Sequence, residues 1–345
     1  MYKEKIIHLI VLVLLAFKPK MNAQQAMDSI VWSSHLDQVV VTAQFAPTDT
    51  RESVNAVKII NRKIIEQRGA VNLQELLQTE PNLRITQDAI LGSEISINGL
   101  KGENLKILID GVPIVGRLNG NIDAGQIPLS SILKVEIIEG AQSLLYGSEA
   151  SGGVINLITK KSQIAGIDTE LSGQYENNGF RNIAARGGYT SGKWTAQVTA
   201  NIQEFIPASD TSGSRDMLWN PKKQQSARGM LRFNPTPTWD IRLSGNILHE
   251  SIDNLGEKKR VVFKPYAFDD YYFTDRADVN LFMEKRTVTN HLIQGTIGYN
   301  TFNRIKNSYR YDFDENRNDL LPGMQDTSRA GGFLSRFTLA SDKKD

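Results

Sequence analysis

The segment from Gly147 to Gly153 holds residue types that could bind phosphate or act as nucleophiles. Gly147 and Gly152 have the spacing of a phosphate-binding loop, but Gly153 stands where that loop requires lysine. Ser148 and Ser151 do not sit in a G-x-S-x-G pattern, and no histidine lies near them in sequence. The segment therefore predicts neither a nucleotide site nor a serine hydrolase.

Metal-binding residues are also present without a complete site. Asp312, Asp314 and Asn316 begin like a calcium-binding loop, but Arg317 replaces its glycine and Gly323 its final glutamate. A solvated loop explains this run better. The 4 histidines form no ligand pair at helical spacing, and the chain has no cysteine. We therefore expect no metal site, no cofactor and no enzymatic activity.

Length, charge and the N-terminus set the class of protein. A chain of 345 residues can hold two domains, and its net charge of +2 gives no electrostatic basis for binding nucleic acid. Lys3 and Lys5 precede an apolar run, Ile6–Phe17, that is too short to span a bilayer as a helix. This pattern predicts a secretion signal cleaved after Ala23, and the alternative is a buried N-terminal helix.

The first half of the chain mixes short strands and helices. Leu73, Leu76 and Leu77 lie on one helical face, and Asn72 with Glu75 imitates a capping box. We predict helices at 61–68, capped by Asn61, and 72–78, with strands at 57–60, 83–85, 94–98 and 105–109. This order indicates an α+β domain of about 120 residues.

The stretch Ile132–Lys160 organises this domain. Its two apolar runs, 132–139 and 154–159, predict two strands. Gly147, Gly152 and Gly153 between them indicate positive φ or close backbone packing. From periodicity alone this is an ordinary hairpin or crossover.

The second half alternates apolar and polar residues, as in strands with two different faces. Short and long connections also alternate, which is typical of a transmembrane β-barrel, and a soluble antiparallel sandwich or barrel is the alternative. Aromatic residues at predicted strand ends favour a membrane interface: Tyr175, Tyr189, Trp194, Phe233, Trp239 and Tyr299. Eight strands of a length suited to a bilayer are predicted at 167–175, 183–189, 194–202, 227–233, 239–247, 277–283, 293–299 and 333–339.

Three motifs resemble the plug domain of TonB-dependent outer-membrane receptors. They are LQELLQTEPNLRI, INGLKGENLKILIDGVPI and VEIIEG-x-x-S-x-x-YGS-x-x-x-GGVIN-x-ITK. The resemblance implies an α+β plug followed by antiparallel transmembrane β-barrel strands in the outer membrane. Because eight strands enclose too little space for a plug, and the family uses 22, we expect an incomplete barrel and a fragment or truncated product.

The segment Asp37-Gln38-Val39-Val40-Val41-Thr42-Ala43 is similar to the TonB box of this family. Its β-branched residues favour an extended backbone, and from the residues alone it could equally be a first strand of the fold. The resemblance implies that it adds as a strand to the partner TonB. The expected domains are a signal peptide at 1–23, a periplasmic segment with the TonB box at 24–50, the plug at 51–163, and the first part of the barrel at 164–345.

Two polar turn segments of the plug, 87–93 and 116–121, are expected on its outward side. The resemblance implies that such plug apices contact ligand, and the alternative is that they are solvated loops. The candidate ligand-binding residues are Gln87, Asp88, Ser93, Arg117, Asn119 and Asn121. Many family members carry plug arginines at the positions of Asn98 and Glu139, so the ionic lock between plug and barrel wall is expected to differ here.

The resemblance implies TonB-dependent import of a scarce ligand, such as a ferric siderophore, haem or cobalamin, across the outer membrane. The expected partners are TonB with its inner-membrane energising complex, outer-membrane lipid, and a metal-chelate, corrinoid or porphyrin ligand. The alternatives are a surface binding protein without transport and a non-functional truncated receptor. Binding of a peptide of residues 37–43 to TonB would distinguish import from the first alternative. The DNA sequence beyond the codon for Asp345 would distinguish a whole receptor from the second.

Overall fold

The computed structural model describes residues 40–41, 48–49, 57–88, 90, 92–140, 150–162, 165–207, 215, 219–259, 264–287 and 291–341. The expected signal peptide, the TonB-box residues Asp37, Gln38, Val39, Thr42 and Ala43, and the connection 141–149 lie outside these ranges. Val40–Val41 form strand β1, which pairs antiparallel with β2, Thr48–Asp49.

Residues 57–162, here called the plug region, contain two short helices that begin at asparagine caps. Helix α1, Arg62–Gln67, begins after Asn61, whose side chain accepts a hydrogen bond from Ile64 N at 3.0 Å. Helix α2, Leu73–Gln78, begins after Asn72, whose side chain accepts from Glu75 N at 3.0 Å. Both caps satisfy backbone donors that a helix start leaves free, which confirms the predicted helix starts.

The strands of the plug region form two sheets. A five-stranded sheet has the order β3-β9-β10-β7-β8, in which β10 and β7 are parallel and the other neighbours antiparallel. A smaller sheet has the order β4-β5-β6. The strands are β3 Val57–Asn61, β4 Leu83–Asp88, β5 Gly92–Ile97, β6 Leu100–Lys101, β7 Leu105–Ile109, β8 Val112–Pro113, β9 Ile132–Glu139 and β10 Gly153–Thr159.

A single apolar core holds the helices against the five-stranded sheet. Leu73, Leu76 and Leu77 on α2 are fully buried and belong to the same cluster as Val135 and Ile155 of the sheet. Gly153 has φ of +143°, and a Cβ on Gly152 would lie 2.9 Å from Leu100 Cβ. The predicted roles of these two glycines, positive φ and close packing, are therefore confirmed.

Residues 165–341, here called the wall, form one antiparallel sheet in which each strand pairs with the next along the chain, except that β19 returns to β17. Among the described residues β11 and β19 do not pair, so the barrel is incomplete. The strands are β11 Gly166–Tyr175, β12 Phe180–Ser191, β13 Trp194–Phe205, β14 Lys222–Phe233, β15 Trp239–Leu255, β16 Tyr266–Arg286, β17 His291–Asp312, β18 Arg317–Leu320 and β19 Asp326–Ser341.

The two faces of the wall differ in chemistry. The face toward the plug region buries polar side chains, among them Gln197, Asn201, Gln203, Gln224, Glu250, Thr274 and Arg304. The opposite face exposes apolar side chains, among them Leu171, Val198, Leu243, Ile247, Val279, Ile297, Phe333 and Phe337. This arrangement confirms the predicted alternation and suits strands whose outer face meets lipid.

Three details of the predicted wall and plug were wrong. All eight wall strands exist, but β15, β16 and β17 run 17, 21 and 22 residues, well beyond the predicted ends. Tyr299 therefore lies inside β17 and not at a strand end. Strand β18 was not predicted, and β4 and β5 extend into the segment expected to be the turn 87–93. In β16 and β17 most of the added residues are polar or aromatic on both faces, so hydropathy does not mark these two extensions.

Within the part of the chain that the structure describes, no helix is long and apolar enough to cross a membrane. In those same ranges, histidine, aspartate and glutamate side chains form no group of three that could hold a metal ion.

Candidate ligand site and plug–wall interface

The first plug apex is the β4–β5 hairpin. Gln87 and Asp88 end β4 with exposed side chains. Ser93 begins β5 and is 1% exposed, because its backbone N–H and its hydroxyl reach Asp123 Oδ1 at 3.1 and 3.2 Å. Gly92 has φ of +83°, and a Cβ there would lie 2.2 Å from Asp123 Cγ. The hairpin therefore offers two exposed candidates and fixes the third against Asp123.

The second apex, residues 116–121, is stabilised by its own arginine. The guanidinium of Arg117 donates to the carbonyl oxygens of Gly102, Gly120 and Leu105 at 2.8, 2.9 and 2.9 Å. Asn119 has φ of +49° and an exposed side chain. Asn121 Nδ2 donates to Glu94 Oε2 at 3.0 Å, which joins this apex to β5 of the first.

The two apices thus lie side by side, and their candidate residues divide into two groups. Gln87, Asp88 and Asn119 are exposed, so they stay predicted ligand contacts. Ser93, Arg117 and Asn121 hold the apices in shape through bonds inside the plug region. Ligand contact by any of the six remains a prediction.

Below the apices, a charged cluster joins the plug region to the wall. We call Asp123, Lys222, Glu250 and Arg276, with Gln126, the junction cluster. Lys222 Nζ lies 2.7 Å from Glu250 Oε2 and 3.6 Å from Asp123 Oδ2. Gln126 Nε2 donates to Glu250 Oε1 at 2.7 Å, and Arg276 Nε donates to Gln126 Oε1 at 2.7 Å.

Asp123 is ionised in this cluster. Burial would raise the pKa of its carboxyl, but the ammonium of Lys222 and hydrogen bonds from the backbone N–H groups of Gly125 and Ser93 outweigh burial and lower the pKa. The cluster therefore places a stable negative charge of the plug region beside cations of the wall.

A second ionic contact lies at the β7–β8 turn. Asp110, in a positive-φ turn with Gly111, accepts from Thr159 N at 3.0 Å and from Thr159 Oγ1 at 2.7 Å. Arg228 Nη2 of β14 approaches the same carboxylate at 3.2 Å. Burial would raise the pKa of Asp110, but the charges of Arg228 and Arg242 lower it. Asp110 therefore presents a carboxylate to wall cations, as Asp123 does.

Asn98 and Glu139 do not reach the wall in the described contacts. Asn98 Nδ2 and Asn82 Nδ2 donate to Glu139 at 3.3 and 3.0 Å, so the three side chains bond within the plug region. In the contacts of Lys222 with Asp123 and of Arg228 with Asp110, the cation stands on the wall and the carboxylate on the plug region. A contact of the opposite polarity joins Arg62 to Glu170 at 3.6 Å.

Sequence reasoning missed the junction cluster. Lys222, Glu250 and Arg276 lie outside the predicted strands 227–233, 239–247 and 277–283, so the sequence pattern assigned them to no face of the wall. Gln126 and Glu250 are separated by 124 positions in the chain, and no local pattern links them.

Comparison with known proteins agrees with this architecture. Residues 49–154 match the model of the TonB-dependent Receptor Plug Domain. The chain is 34% identical over 160 residues to the Vitamin B12 transporter BtuB of Vibrio cholerae, a match that covers 46% of this chain and 26% of that protein.

Solved structures share the fold at low identity. A chain of the FpvAI–pyocin S2 complex has a TM-score of 0.58 at 12% identity, and the match covers 87% of this chain and 50% of that one. The ferripyoverdine receptor of the outer membrane of Pseudomonas aeruginosa gives 0.53 at 13% identity, with 86% and 44% covered. This chain thus spans about half the length of these receptors. Residues 49–154 thus match the plug domain of TonB-dependent receptors, and the chain shares the fold of these solved structures, a plug domain followed by part of an antiparallel β-barrel.

Proposed function

We propose that the receptor containing this chain imports a scarce ligand across the outer membrane, with TonB as its energising partner. The observation that carries the proposal is the matched plug domain, whose polar surface lies against the polar face of a wall that is apolar outside. Such a plug closes a channel that would otherwise be open to water. Moving it needs energy, and a periplasmic partner can supply that energy mechanically.

The ligand belongs to the classes of ferric siderophores, haem and cobalamin. One relative is named a vitamin B12 transporter, and one structural neighbour is named a ferripyoverdine receptor. Metal chelates and corrinoids share a size that exceeds simple diffusion pores, so a plugged receptor suits them. The exposed apex residues Gln87, Asp88 and Asn119 are the proposed contacts from below.

TonB is proposed to bind the segment Asp37–Ala43. Its described part, β1, pairs with β2 alone among the described residues, which leaves a second edge of this strand for an added one. Strand addition depends on backbone N–H and C=O groups, and alternate side chains then supply fit.

A proline at position 40 tests this function. Val40→Pro removes a backbone N–H from the segment and fixes its φ, so we expect uptake of radiolabelled cyanocobalamin or a ferric siderophore to stop. Binding of the same ligand to intact cells should be unchanged. The control Val40→Thr keeps the N–H and a β-branched side chain, and should import normally. Normal import by Val40→Pro would contradict the proposed role of TonB.

A further inference from the structure

The junction cluster distributes its charge unequally between the two parts of the receptor. Lys222 and Arg276 are cations of the wall, Glu250 is a carboxylate of the wall, and Asp123 is a carboxylate of the plug region. Glu250 and Asp123 are 1% and 3% exposed. Without Asp123 the wall would retain one uncompensated buried positive charge, so the plug region completes the charge balance of the wall.

We propose that this cluster is the latch that retains the plug, and that the plug apices act on it directly. Removing one member of a buried ion pair leaves the other charge without compensation, which is far more costly than removing both. Because charges retain the plug, its release is also cooperative, since water that enters the interface screens every ionic contact at once. The latch replaces the arginine-based lock that Asn98 and Glu139 do not make.

The first apex connects to the latch through Ser93. Its N–H and hydroxyl hold Asp123 Oδ1, and its Oγ accepts from Ala124 N at 2.7 Å. Gly92 packs so closely on the Asp123 carboxylate that the β4–β5 hairpin cannot shift without moving that carboxylate. A ligand that displaces Gln87 or Asp88 would therefore pull on Asp123.

The second apex connects to the latch through Arg276. The guanidinium donates to the carbonyl oxygens of Val115 and Gly116, the latter at 3.0 Å, and packs on the ring of Phe302 at 4.4 Å. Gly116 has φ of +86°, and a Cβ there would lie 2.1 Å from Phe302 Cγ. Arg276 also holds Gln126, so both apices meet the same four charges.

One wall side chain beside the latch makes no hydrogen bond to the plug region. Gln224, the neighbour of Glu250 in the β14–β15 register, is fully buried, yet neither polar atom of its side chain reaches a partner among the described residues. Gln224 thus adds no side-chain hydrogen bond beside the cluster, and neutralising one charge of the cluster should loosen the plug measurably.

The signalling half of this proposal rests on the proposed function, but the latch itself can be tested without ligand or TonB. Hydrogen–deuterium exchange of the full chain in detergent micelles reports opening of the plug region at peptides covering 92–97 and 122–132. We expect Lys222→Met to speed exchange there about tenfold. Lys223→Met is the matched control, because Lys223 follows on the same strand, is half exposed and pairs with Glu204 at 2.7 Å on the other face.

Two further variants keep the test decisive if Lys222→Met folds poorly. Asp123→Asn preserves shape and removes the plug charge, and should speed exchange similarly. The double variant Lys222→Met/Asp123→Asn leaves Glu250 and Arg276 balanced, and should recover to within about threefold of the wild type. Exchange in Asp123→Asn equal to that of the Lys223→Met control, or a double variant faster than both single ones, would overturn the latch.

The link to the apex has its own control. Ser93→Ala should speed exchange of the 122–132 peptide, since it removes a hydroxyl donor to Asp123. Ser96→Ala changes a serine of the same strand whose hydroxyl reaches only Arg84 O, at 3.5 Å, and should not. Equal exchange in these two variants would refute the coupling while leaving the latch and the proposed import untouched.

Discussion

The plug region and the wall place their apolar residues on opposite sides. In the plug region Leu76 and Leu77 are fully buried beneath two helices and a sheet, as in any water-soluble domain. In the wall Leu243 and Ile247 are exposed on the outer face, and the inner face carries Gln224 and Glu250. Leucine and isoleucine therefore stabilise the plug region when its surface meets water, and they stabilise the wall when its outer face meets lipid.

The comparison also explains the contact between them. The plug region, like a water-soluble domain, presents a polar surface, and the wall presents its polar face to the plug region. Both sides of the interface are therefore mostly hydrophilic. Apolar contacts at this interface are few, such as Phe302 of the wall against Gly116 of the plug region. The interface is held by placed charges and hydrogen bonds, and these can be released without exposing either apolar core.

Truncation of a core leucine in the plug region should have the largest effect. Leu77→Ala removes buried methyl groups from a side chain with 0% exposure, and should lower the free energy of unfolding of the plug region by about 2–5 kcal/mol. Hydrogen exchange of β10 peptides measures this change. Leu243→Ala, on the outer face of the wall, should leave β10 exchange unaltered, and a comparable acceleration there would break the comparison.

A charge on the outer face of the wall should have the next largest effect. Ile247→Arg places a cation within the apolar band, at a side chain that is 59% exposed, and should destabilise the wall by about 2–4 kcal/mol in lipid vesicles. Denaturant titration followed by tryptophan fluorescence measures it. His249→Arg is the control, since His249 lies on the same face two residues further and pairs with Asp275 at 2.7 Å. An equal loss of wall stability in Ile247→Arg and His249→Arg would contradict a lipid-facing band that ends between these two positions.

The pH dependence of the plug region should be smaller and should come partly from Glu80. Burial would raise the pKa of this carboxyl, but Lys58 and Arg68, the latter at 2.6 Å, lower it. A lowered pKa means that the ion pairs stabilise the fold fully above about pH 4.3 and lose that contribution as pH falls through the folded-state pKa.

Glu80→Gln should therefore destabilise the plug region at pH 7 and change its stability little at pH 3. Hydrogen exchange at the two pH values, corrected for intrinsic rates, measures the difference. Glu66→Gln, on the exposed end of an i,i+4 pair with Arg62 at 2.6 Å, should show little dependence of this kind. A Glu80→Gln penalty that is equal at both pH values would refute the assignment.

Much of this fold could be predicted because its signals are local. The spacing of Leu73, Leu76 and Leu77, the caps Asn61 and Asn72, and the period-2 alternation of the wall each depend on residues a few positions apart. Element type and the inner or outer face of a wall residue follow from such patterns.

The rest depends on residues distant in sequence. The extensions of β16 and β17 leave the apolar band, so hydropathy no longer marks them. The burial of Ser93 requires Asp123, which lies 30 positions away, and the position of Arg276 requires the carbonyl oxygens of the second apex. Loop composition and the family resemblance together proposed six residues as ligand contacts, and three of them bond within the plug region.

The long strands β16 and β17 also determine what can reach the receptor's interior. Arg304 of β17 donates to the carbonyl oxygen of Ile90 at the first apex, and the strand continues to Asp312. At about 3.3 Å per residue, these further positions carry the rim about 26 Å beyond the apex. A solute that approaches the first apex along these strands therefore passes the side chains of their ends before it meets the plug region.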